Sequence, residues 1–256
     1  MSEHSATTGV LSGRVAVVFG ATGWIGRAIC HELVRAGASI VMVGRDANRL
    51  DTLQRELDGG DRVLFTVADV TSQLEVDDAR AAAITRFGHI DLLVVSSGVI
   101  TGSAFSEGVP ADWAEMIDVN LRGLLHASQT FAEPLLHRAG HGTPADIVLI
   151  GAVSTDVRAP RFAVFNALSA AIKQLARALR HEYGPRGMRV HIIEPSFAVD
   201  QPDERHHASA PEHDQQHARA ASAVKPDAIA AVVTLAAALP RSVNLAEVLL
   251  LPTETA

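Results

Sequence analysis

The sequence predicts an α/β fold, a doubly wound parallel sheet of about seven strands with helices on both faces. Three observations indicate this fold class. Short runs of β-branched and aliphatic residues alternate with longer helical patterns along the whole chain. The early runs are almost continuously apolar, which is typical of parallel strands covered on both faces. A glycine-rich segment separates the first run from the first helix, where the chain must turn sharply.

Each candidate strand is an apolar run flanked by turn or helix signals. The runs lie at 15–19, 39–43, 62–67, 91–96, 146–150, 189–193 and 248–251. Helical patterns lie near 24–37, 46–58, 72–87, 111–137, 161–183 and 226–239. Their alternation favours parallel pairing through right-handed crossovers. We find neither an internal repeat nor a linker, so residues 1–256 are expected to form a single domain with a flexible N-terminus over 1–12.

Composition and charge narrow the classes of function. The chain carries a net charge of −7, which disfavours binding to nucleic acid or to an anionic membrane. Its longest apolar segment, 229–239, is shorter than the roughly 20 residues that span a bilayer. Residues 1–13 lack the basic start and the apolar stretch of a secretion signal. We therefore expect a cytoplasmic protein that acts on a small-molecule substrate.

Segment 198–223 departs from the alternating pattern because it is polar, rich in histidine and interrupted by prolines. Its length and its place after the sixth strand predict a substrate lid at the carboxyl edge of the sheet. Its histidines include His206, His207, His213 and His217, and histidine can donate a proton near neutral pH. A lid without chemistry is the alternative. Only His213 and His217 have the spacing of metal ligands, so no metal site is predicted.

The glycine-rich segment spans residues 20–26 and reads Gly-Ala-Thr-Gly-Trp-Ile-Gly. It follows the first strand and opens the first helix, where glycines let the backbone approach a pyrophosphate. The helix N-terminus would supply free N–H donors and the positive end of the dipole. This placement predicts nucleotide binding, with a purely structural tight turn as the alternative.

Arg45 stands at the end of the second strand, nineteen residues after Gly26. An acidic residue there would bind the ribose 2′-hydroxyl of NAD, whereas an arginine suits the 2′-phosphate of NADP. Arg45 therefore favours NADP(H), with NAD(H) as the second choice. A solvated Arg45, followed by Asp46 as the cap of the next helix, is the alternative interpretation.

Segment 147–173 resembles the active-site strand and helix of the short-chain dehydrogenases/reductases. In that family a serine ends the strand, a tyrosine follows thirteen residues later and a lysine four residues after the tyrosine. Those positions here hold Ala152, Phe165 and Ser169. The resemblance covers roughly residues 12–251, and it implies a Rossmann-type domain with a degenerate active site.

The resemblance also implies which residues hold the cofactor. They come from the glycine segment and from the ends of later strands: Gly20, Thr22, Gly23, Trp24, Ile25, Gly26, Arg45, Asp69, Val70, Ser97, Gly98 and Pro195. The family's commoner pattern is Gly-x-x-x-Gly-x-Gly, and Trp24 occupies the place of its middle glycine. We therefore expect Trp24 to crowd the cofactor and to reduce its affinity.

Loss of the three catalytic positions removes the family's ordinary mechanism, since Phe165 has no proton to give. A positioned general acid contributes about 10² to 10⁴-fold, or roughly 3 to 5.5 kcal/mol of barrier. Asn120 matches the asparagine that shapes the family's active-site helix, and Ser154 is expected to point toward the pocket. These two are the candidate catalytic residues, although a turn-capping Ser154 is the alternative. Lys173, one turn past Ser169, is a weaker candidate to replace the lysine.

Three functions stay open. The first is an atypical NADP(H)-dependent oxidoreductase that reduces a carbonyl, of polyketide type for example, or oxidises an alcohol. Water, the lid or the substrate would then supply the proton. The second is a non-redox cyclase, dehydratase or isomerase on the same scaffold. The third is a catalytically silent subunit that pairs with an active homologue.

The resemblance further implies an oligomer, either a homodimer or tetramer or a heteromer with an active homologue. The family's usual dimer faces fall on the helical segments 111–137 and 161–183. One row in the second segment repeats at helical spacing and consists of Leu168, Ile172, Leu175 and Leu179. The same row would serve equally well as intramolecular core.

Overall fold

The computed structural model describes residues 9–152, 161–196 and 224–253. The predicted lid at 198–223 lies outside the described residues, and so do Ser154 and most of the N-terminal segment 1–12.

The predicted strands and helices are confirmed, with small shifts at their ends. The strands are β1 Val15–Phe19, β2 Ser39–Gly44, β3 Val63–Val67, β4 Leu92–Val95, β5 Asp146–Ile150, β6 Arg189–Pro195 and β7 Glu247–Leu250. The helices are α1 Trp24–Arg35, α2 Ala47–Leu57, α3 Gln73–Phe87, α4 Pro110–Ile117, α5 Leu124–Gly140, α6 Ala163–Tyr183 and α7 Pro226–Ala238. The segment predicted as one helix over 111–137 forms α4 and α5, which a π-helical turn at Asp118–Gly123 joins.

All seven strands pair in parallel in the order β3-β2-β1-β4-β5-β6-β7, so the predicted fold class is confirmed. The chain builds outward from β1 to β3 and then crosses back to add β4 on the other side of β1. The strand order therefore reverses between β1 and β4. In open α/β sheets this switch point leaves a crevice at the carboxyl ends of the strands, where ligands bind.

Two apolar clusters cover the two faces of the sheet. Alternate residues of β1 divide between them: Ala16 and Val18 belong to one cluster, and Val17 and Phe19 to the other. The first cluster takes in side chains of α1, α2 and α7, and the second takes in side chains of α3, α5 and α6. Helices on both faces explain why the strand sequences are apolar at nearly every position.

A buried ionic network ties the amino ends of the strands together. The Asp146 carboxylate accepts hydrogen bonds from Arg14 Nη2 at 2.6 Å, Arg189 Nε at 2.6 Å and His191 Nε2 at 3.0 Å. Burial opposes the ionisation of Asp146. The hydrogen bonds from His191 and Arg189 and the charge of Arg14 outweigh that effect and hold the pKa of Asp146 below its ordinary value. The network lies at the opposite edge from the crevice, so its task is structural.

Helix α6 is fixed on the sheet by side chains of two kinds. The row predicted from its spacing points inward: Leu168 and Ile172 are buried, while Leu175 and Leu179 pack partly buried against the core. At the far end of the helix, Arg177 Nε donates to Glu247 Oε1 at 2.7 Å. This hydrogen bond is the main reason why the pKa of Glu247 falls from 4.5 to about 2.

No helix in the described ranges is long and apolar enough to cross a bilayer.

Candidate functional site

A tight glycine turn brings the end of β1 against the ends of its neighbours. Gly20 follows β1 with φ of +74°, and a Cβ there would lie 2.6 Å from the backbone nitrogen of Ser97. A Cβ on Gly26, in the first turn of α1, would lie 2.1 Å from the carbonyl oxygen of Gly20. Only glycine fits at either position, because a side chain on Gly20 would clash with the backbone that follows β4, and one on Gly26 would drive α1 away from the turn.

Helix α1 begins at Trp24 and points its N-terminus into the crevice. Gly23 is the N-cap, and it provides no side-chain cap for the first turn. The first N–H groups of a helix have no intrahelical partner, and they carry the positive end of the dipole. The turn therefore presents N–H donors suited to an anion such as a pyrophosphate.

Two arginines flank the turn on the side of β2. Arg45 follows β2 and is exposed; Gly44 before it lies close to the turn, since a Cβ there would be 3.5 Å from Thr22 Oγ1. Arg49 Nη2 donates to the carbonyl oxygen of Thr22 at 2.7 Å. The sequence reasoning did not identify Arg49. The signal was a basic residue in the first turn of α2, where the helix dipole favours an acidic one.

Two carboxylates near Arg45 have different roles: Asp46 caps α2, and Asp69 interacts with the charge of Arg45. Asp46 Oδ1 accepts from two backbone N–H groups of α2, at 2.9 and 3.1 Å, so the helix cap that formed part of the alternative interpretation is present. Partial burial opposes the ionisation of Asp69, but hydrogen bonds from Thr71 and the positive charge of Arg45 outweigh it and lower the pKa of Asp69. Arg45 is therefore close enough to Asp69, just past β3, to act on it electrostatically.

A cavity of about 240 Å³ opens between the glycine turn and α6. Within the described ranges no charged side chain lines it. Its wall brings together half of the predicted cofactor residues: Gly23, Trp24, Ile25, Ser97, Gly98 and Pro195. The wall also holds Asn120 and the three degenerate positions, Ala152, Phe165 and Ser169.

The other predicted cofactor residues do not line this cavity. Gly20 and Gly26 shape the turn, Thr22 accepts the bond from Arg49, and Arg45 and Asp69 lie at the ends of the neighbouring strands. Val70 is buried, and its side chain packs where a Cβ on Gly123 would lie, at 2.6 Å. These last contacts make Val70 part of the core that supports the π-helical turn.

The degenerate positions contribute no acidic proton to the cavity. Phe165 presents a hydrocarbon ring, and Ala152 follows Gly151 at the end of β5. Ser169 is buried, and its hydroxyl donates to the carbonyl oxygen of Phe165 at 3.0 Å, inside its own helix. The only hydroxyl among the three is therefore already engaged as a donor.

Asn120 is held in place by two hydrogen bonds to one residue. Its Oδ1 accepts from the N–H of Val99 at 2.8 Å, and its Nδ2 donates to the carbonyl oxygen of Val99 at 2.7 Å. Asn120 lies in the π-helical turn, so this pair fixes the chain after β4 against the start of α5. A part for Asn120 in the chemistry stays a prediction.

Lys173 is engaged away from the cavity. Its Nζ lies 2.6 Å from Glu194 Oε2, and the Glu194 carboxylate is buried just before Pro195. The pair clamps α6 to β6, so Lys173 does not supply the ammonium that Ser169 lacks. The sequence reasoning also missed Asn166, which lines the cavity. Its position three residues before Ser169 put it on the same helix face, and that was the available signal.

The glycine turn and the helix N-terminus lie at the switch point of the sheet, and a cavity opens beside them over α6. This arrangement is typical of dinucleotide-binding α/β proteins. The comparisons agree. The family model described as short chain dehydrogenase matches residues 14–207, and the chain belongs to that family. An uncharacterized oxidoreductase of Staphylococcus epidermidis is 38% identical over 190 residues, which cover 74% of this chain and 79% of the relative. The resemblance read from the sequence is thereby confirmed.

Solved structures share the fold over nearly the whole chain. The closed form of serine dehydrogenase complexed with NADP⁺ superposes with a TM-score of 0.85 at 23% identity, covering 94% of this chain and 96% of that one. An alcohol dehydrogenase from the archaeon Thermococcus sibiricus, complexed with 5-hydroxy-NADP, gives a TM-score of 0.80 at 25% identity, covering 94% and 97%.

Proposed function

We propose that this chain is an NADP(H)-binding oxidoreductase of atypical mechanism, built as one Rossmann-type domain. The observation that carries the proposal is the glycine turn. Gly26 lets α1 approach Gly20 so closely that no side chain would fit, and this close approach delivers the helix N-terminus to the switch point. Both solved structures named above were determined with NADP⁺ or a derivative of it, which supports the choice of cofactor.

The chain's own residues fit the two charged parts of NADP(H). The N–H groups of the first turn of α1 would bind the pyrophosphate, and Arg45 would bind the 2′-phosphate. Ser97 and Gly98 would flank the cofactor where β4 ends. With NAD(H), the second choice, Arg45 would lack its phosphate. When bound, the cofactor supplies or accepts the hydride.

Proton transfer must differ from the family's ordinary route. If Ala152, Phe165 and Ser169 stand at the serine, tyrosine and lysine positions, none of them donates a proton to a substrate oxygen. Water, a hydroxyl of the substrate or a group of segment 198–223 would take over. The described wall is largely apolar, which favours an uncharged carbonyl or alcohol substrate such as a polyketide-type ketone.

Hydride transfer is the direct test. The full chain is incubated with NADPH carrying deuterium at the transferable position and with a panel of neutral ketones. The proposal expects deuterium at the former carbonyl carbon of at least one product. Gly26→Ala is the matched control, because it damages the proposed cofactor turn and leaves the side chains that β5 and α6 contribute to the cavity in place. Absence of label from every product, at saturating NADPH, would contradict redox turnover.

Restoring the family's residues tests the assignment of the three positions. The variant Ala152→Ser/Phe165→Tyr/Ser169→Lys should gain ordinary carbonyl reductase activity, by about 10² to 10⁴-fold over the parent. Phe165→Tyr alone is the control. It should gain little activity, because a phenol without the neighbouring lysine stays a weak acid at neutral pH. A triple variant that binds NADPH but shows no gain would contradict the assignment.

A silent subunit is the second candidate, and the engaged side chains favour it. The Ser169 hydroxyl and the Lys173 ammonium both have partners inside the protein. Small exposed side chains on α6 would permit close packing with another helix, and they are Ala163, Ala167, Ala170, Ala171 and Ala178. Sedimentation of the chain alone and after co-expression with an active homologue distinguishes a homo-oligomer from a heteromer.

A further inference from the structure

We infer that the adenosine and the phosphates of NADP(H) supply most of its affinity for the site and that the nicotinamide riboside adds little. The chain should therefore bind 2′-phosphoadenosine 5′-diphosphate, which keeps all three phosphates, nearly as tightly as NADPH. The inference rests on the proposed function. It concerns a mismatch among the described residues of the site: those on the β2 side suit the phosphates, and those on the β5 and β6 side offer the riboside few donors.

The β2 side is rich in groups that suit phosphates. Arg45 is exposed, and among the described residues it interacts with Asp69 through charge alone. Arg49 is bonded through one Nη atom to the Thr22 carbonyl, which places a second cation beside the turn. Arginine presents five N–H donors, so both guanidinium groups keep donors for an incoming phosphate. The α1 N-terminus adds its own N–H groups.

The described residues on the β5 and β6 side have fewer donors to offer. Pro195, which lines the cavity, has no N–H, and the N–H of Ser196 donates to the carbonyl oxygen of Leu250 at 2.8 Å. The Ser169 hydroxyl donates to Phe165, and both polar atoms of the Asn120 amide are bonded to Val99.

No cation compensates on that side within the described ranges, because no charged side chain lines the cavity there. The nearest ammonium on α6, at Lys173, is 2.6 Å from the buried Glu194 carboxylate. Moving it to the cavity would leave Glu194 buried without its partner, which is strongly unfavourable. A nicotinamide ribose therefore finds no charged donor on α6.

The consequence for affinity can be bounded. A hydrogen bond to a charged group typically changes affinity by about 10- to 100-fold. A site with such a donor for the nicotinamide ribose would prefer NADPH to 2′-phosphoadenosine 5′-diphosphate by at least that factor. A site without it should bind the two ligands within about threefold of each other.

Calorimetric titration of the full wild-type chain measures the ratio directly. The ligands are NADPH, 2′-phosphoadenosine 5′-diphosphate and reduced nicotinamide riboside, in one buffer at one ionic strength. We expect the first two to bind within about threefold, and the riboside to show no saturation at millimolar concentration. NADPH binding more than about tenfold tighter than the diphosphate overturns this inference and leaves the proposed function standing. If neither ligand binds, both fail.

A charge placed on the deficient side gives an independent readout. Ser169→Lys should raise the affinity for NADPH by about tenfold or more and leave the affinity for 2′-phosphoadenosine 5′-diphosphate unchanged. Ser169→Met matches the length without the charge, so it should bring no such gain. An equal gain in affinity for both ligands would overturn the inference that the β5 and β6 side lacks a donor for the nicotinamide ribose. If Ser169→Lys fails to fold, the ratio of the two dissociation constants measured for the wild-type chain is the test.

Discussion

Replacing Gly26 by alanine tests the geometry on which cofactor binding depends. The added Cβ would lie 2.1 Å from the carbonyl oxygen of Gly20 and 3.1 Å from the Cα of Ala21. Both neighbours are backbone atoms of the turn, so no side chain can rotate away to make room. Carbon–oxygen contacts normally lie at about 3.3 Å or longer, so α1 and the turn must separate by about 1 Å.

A displacement of that size has two measurable costs. Overpacking of this kind costs about 1–3 kcal/mol of stability, which lowers the melting temperature by several degrees. Hydrogen bonds of about 2.9 Å to a phosphate would stretch beyond the useful range, and each bond to a charged group is worth about 1.5–3 kcal/mol. Loss of one such bond weakens NADPH binding by about 10- to 100-fold, and loss of two by about 100-fold or more.

The assay combines thermal unfolding with titration of NADPH, followed through Trp24, whose ring lines the cavity. Gly140→Ala is the matched control. Gly140 ends α5 with nothing within 4 Å of its added Cβ, so alanine there should leave NADPH affinity unchanged. A folded Gly26→Ala variant that binds NADPH within about threefold of the parent would refute the reasoning, because the N-terminus of α1 would then not hold the cofactor.

Three further variants test the charges that hold the fold. Asp146→Asn leaves buried cations without their carboxylate, so the free energy of unfolding measured in urea should fall by about 3–5 kcal/mol. Asp51→Asn, in an exposed helical pair, is the control and should lower it by no more than about 0.5 kcal/mol. Equal effects of the two variants would contradict a stabilising role of the buried network. Glu247 has a pKa of about 2 in the folded protein against an ordinary 4.5, so its ion pair stabilises above pH 4.5 and is lost as the pH falls toward 2. Glu247→Gln should therefore flatten the loss of stability between those pH values, and an unchanged slope would contradict the assignment. Lys173→Met removes the partner of the buried Glu194, and should lower the melting temperature but leave NADPH affinity unchanged; a loss of affinity would place Lys173 in the site.

Local pattern was sufficient to predict most of the fold. The run at 15–19 is apolar at every position and is followed by Gly20, and β1 has those bounds. The break between α4 and α5 was missed for a physical reason. A π-helical turn shifts the backbone hydrogen bonds at Asp118–Gly123 without interrupting the helical chain, so the apolar spacing reads as one helix. Contacts with residues distant in sequence mark the place: Gly123 with Val70, and Asn120 with Val99.

The geometry of the turn was predictable because it depends on glycine spacing, whereas the partners of long side chains were not. The spacing of four residues put Lys173 on the face of Ser169, but it could not tell where the ammonium would point. Glu194, twenty-one residues later, decides that through a salt bridge. The bond from Arg49 to Thr22 likewise joins two elements that only the folded sheet brings together.

The proposed division of the site between an adenosine side and an apolar reactive side would constrain any chemistry. Contacts with the adenosine half would be the same in the ground state and in the transition state, so they would lower the cofactor's dissociation constant without lowering the barrier. The barrier must then be lowered beside Phe165, where the described wall supplies no acid. In such a poorly solvated wall, a hydroxyl of the substrate itself, close to its carbonyl, interacts more strongly with developing negative charge than it would in water. If the chain turns over substrate, ketones that carry an adjacent phenolic hydroxyl should therefore react faster than their methyl ethers, whereas a proton taken from water would make no distinction between them.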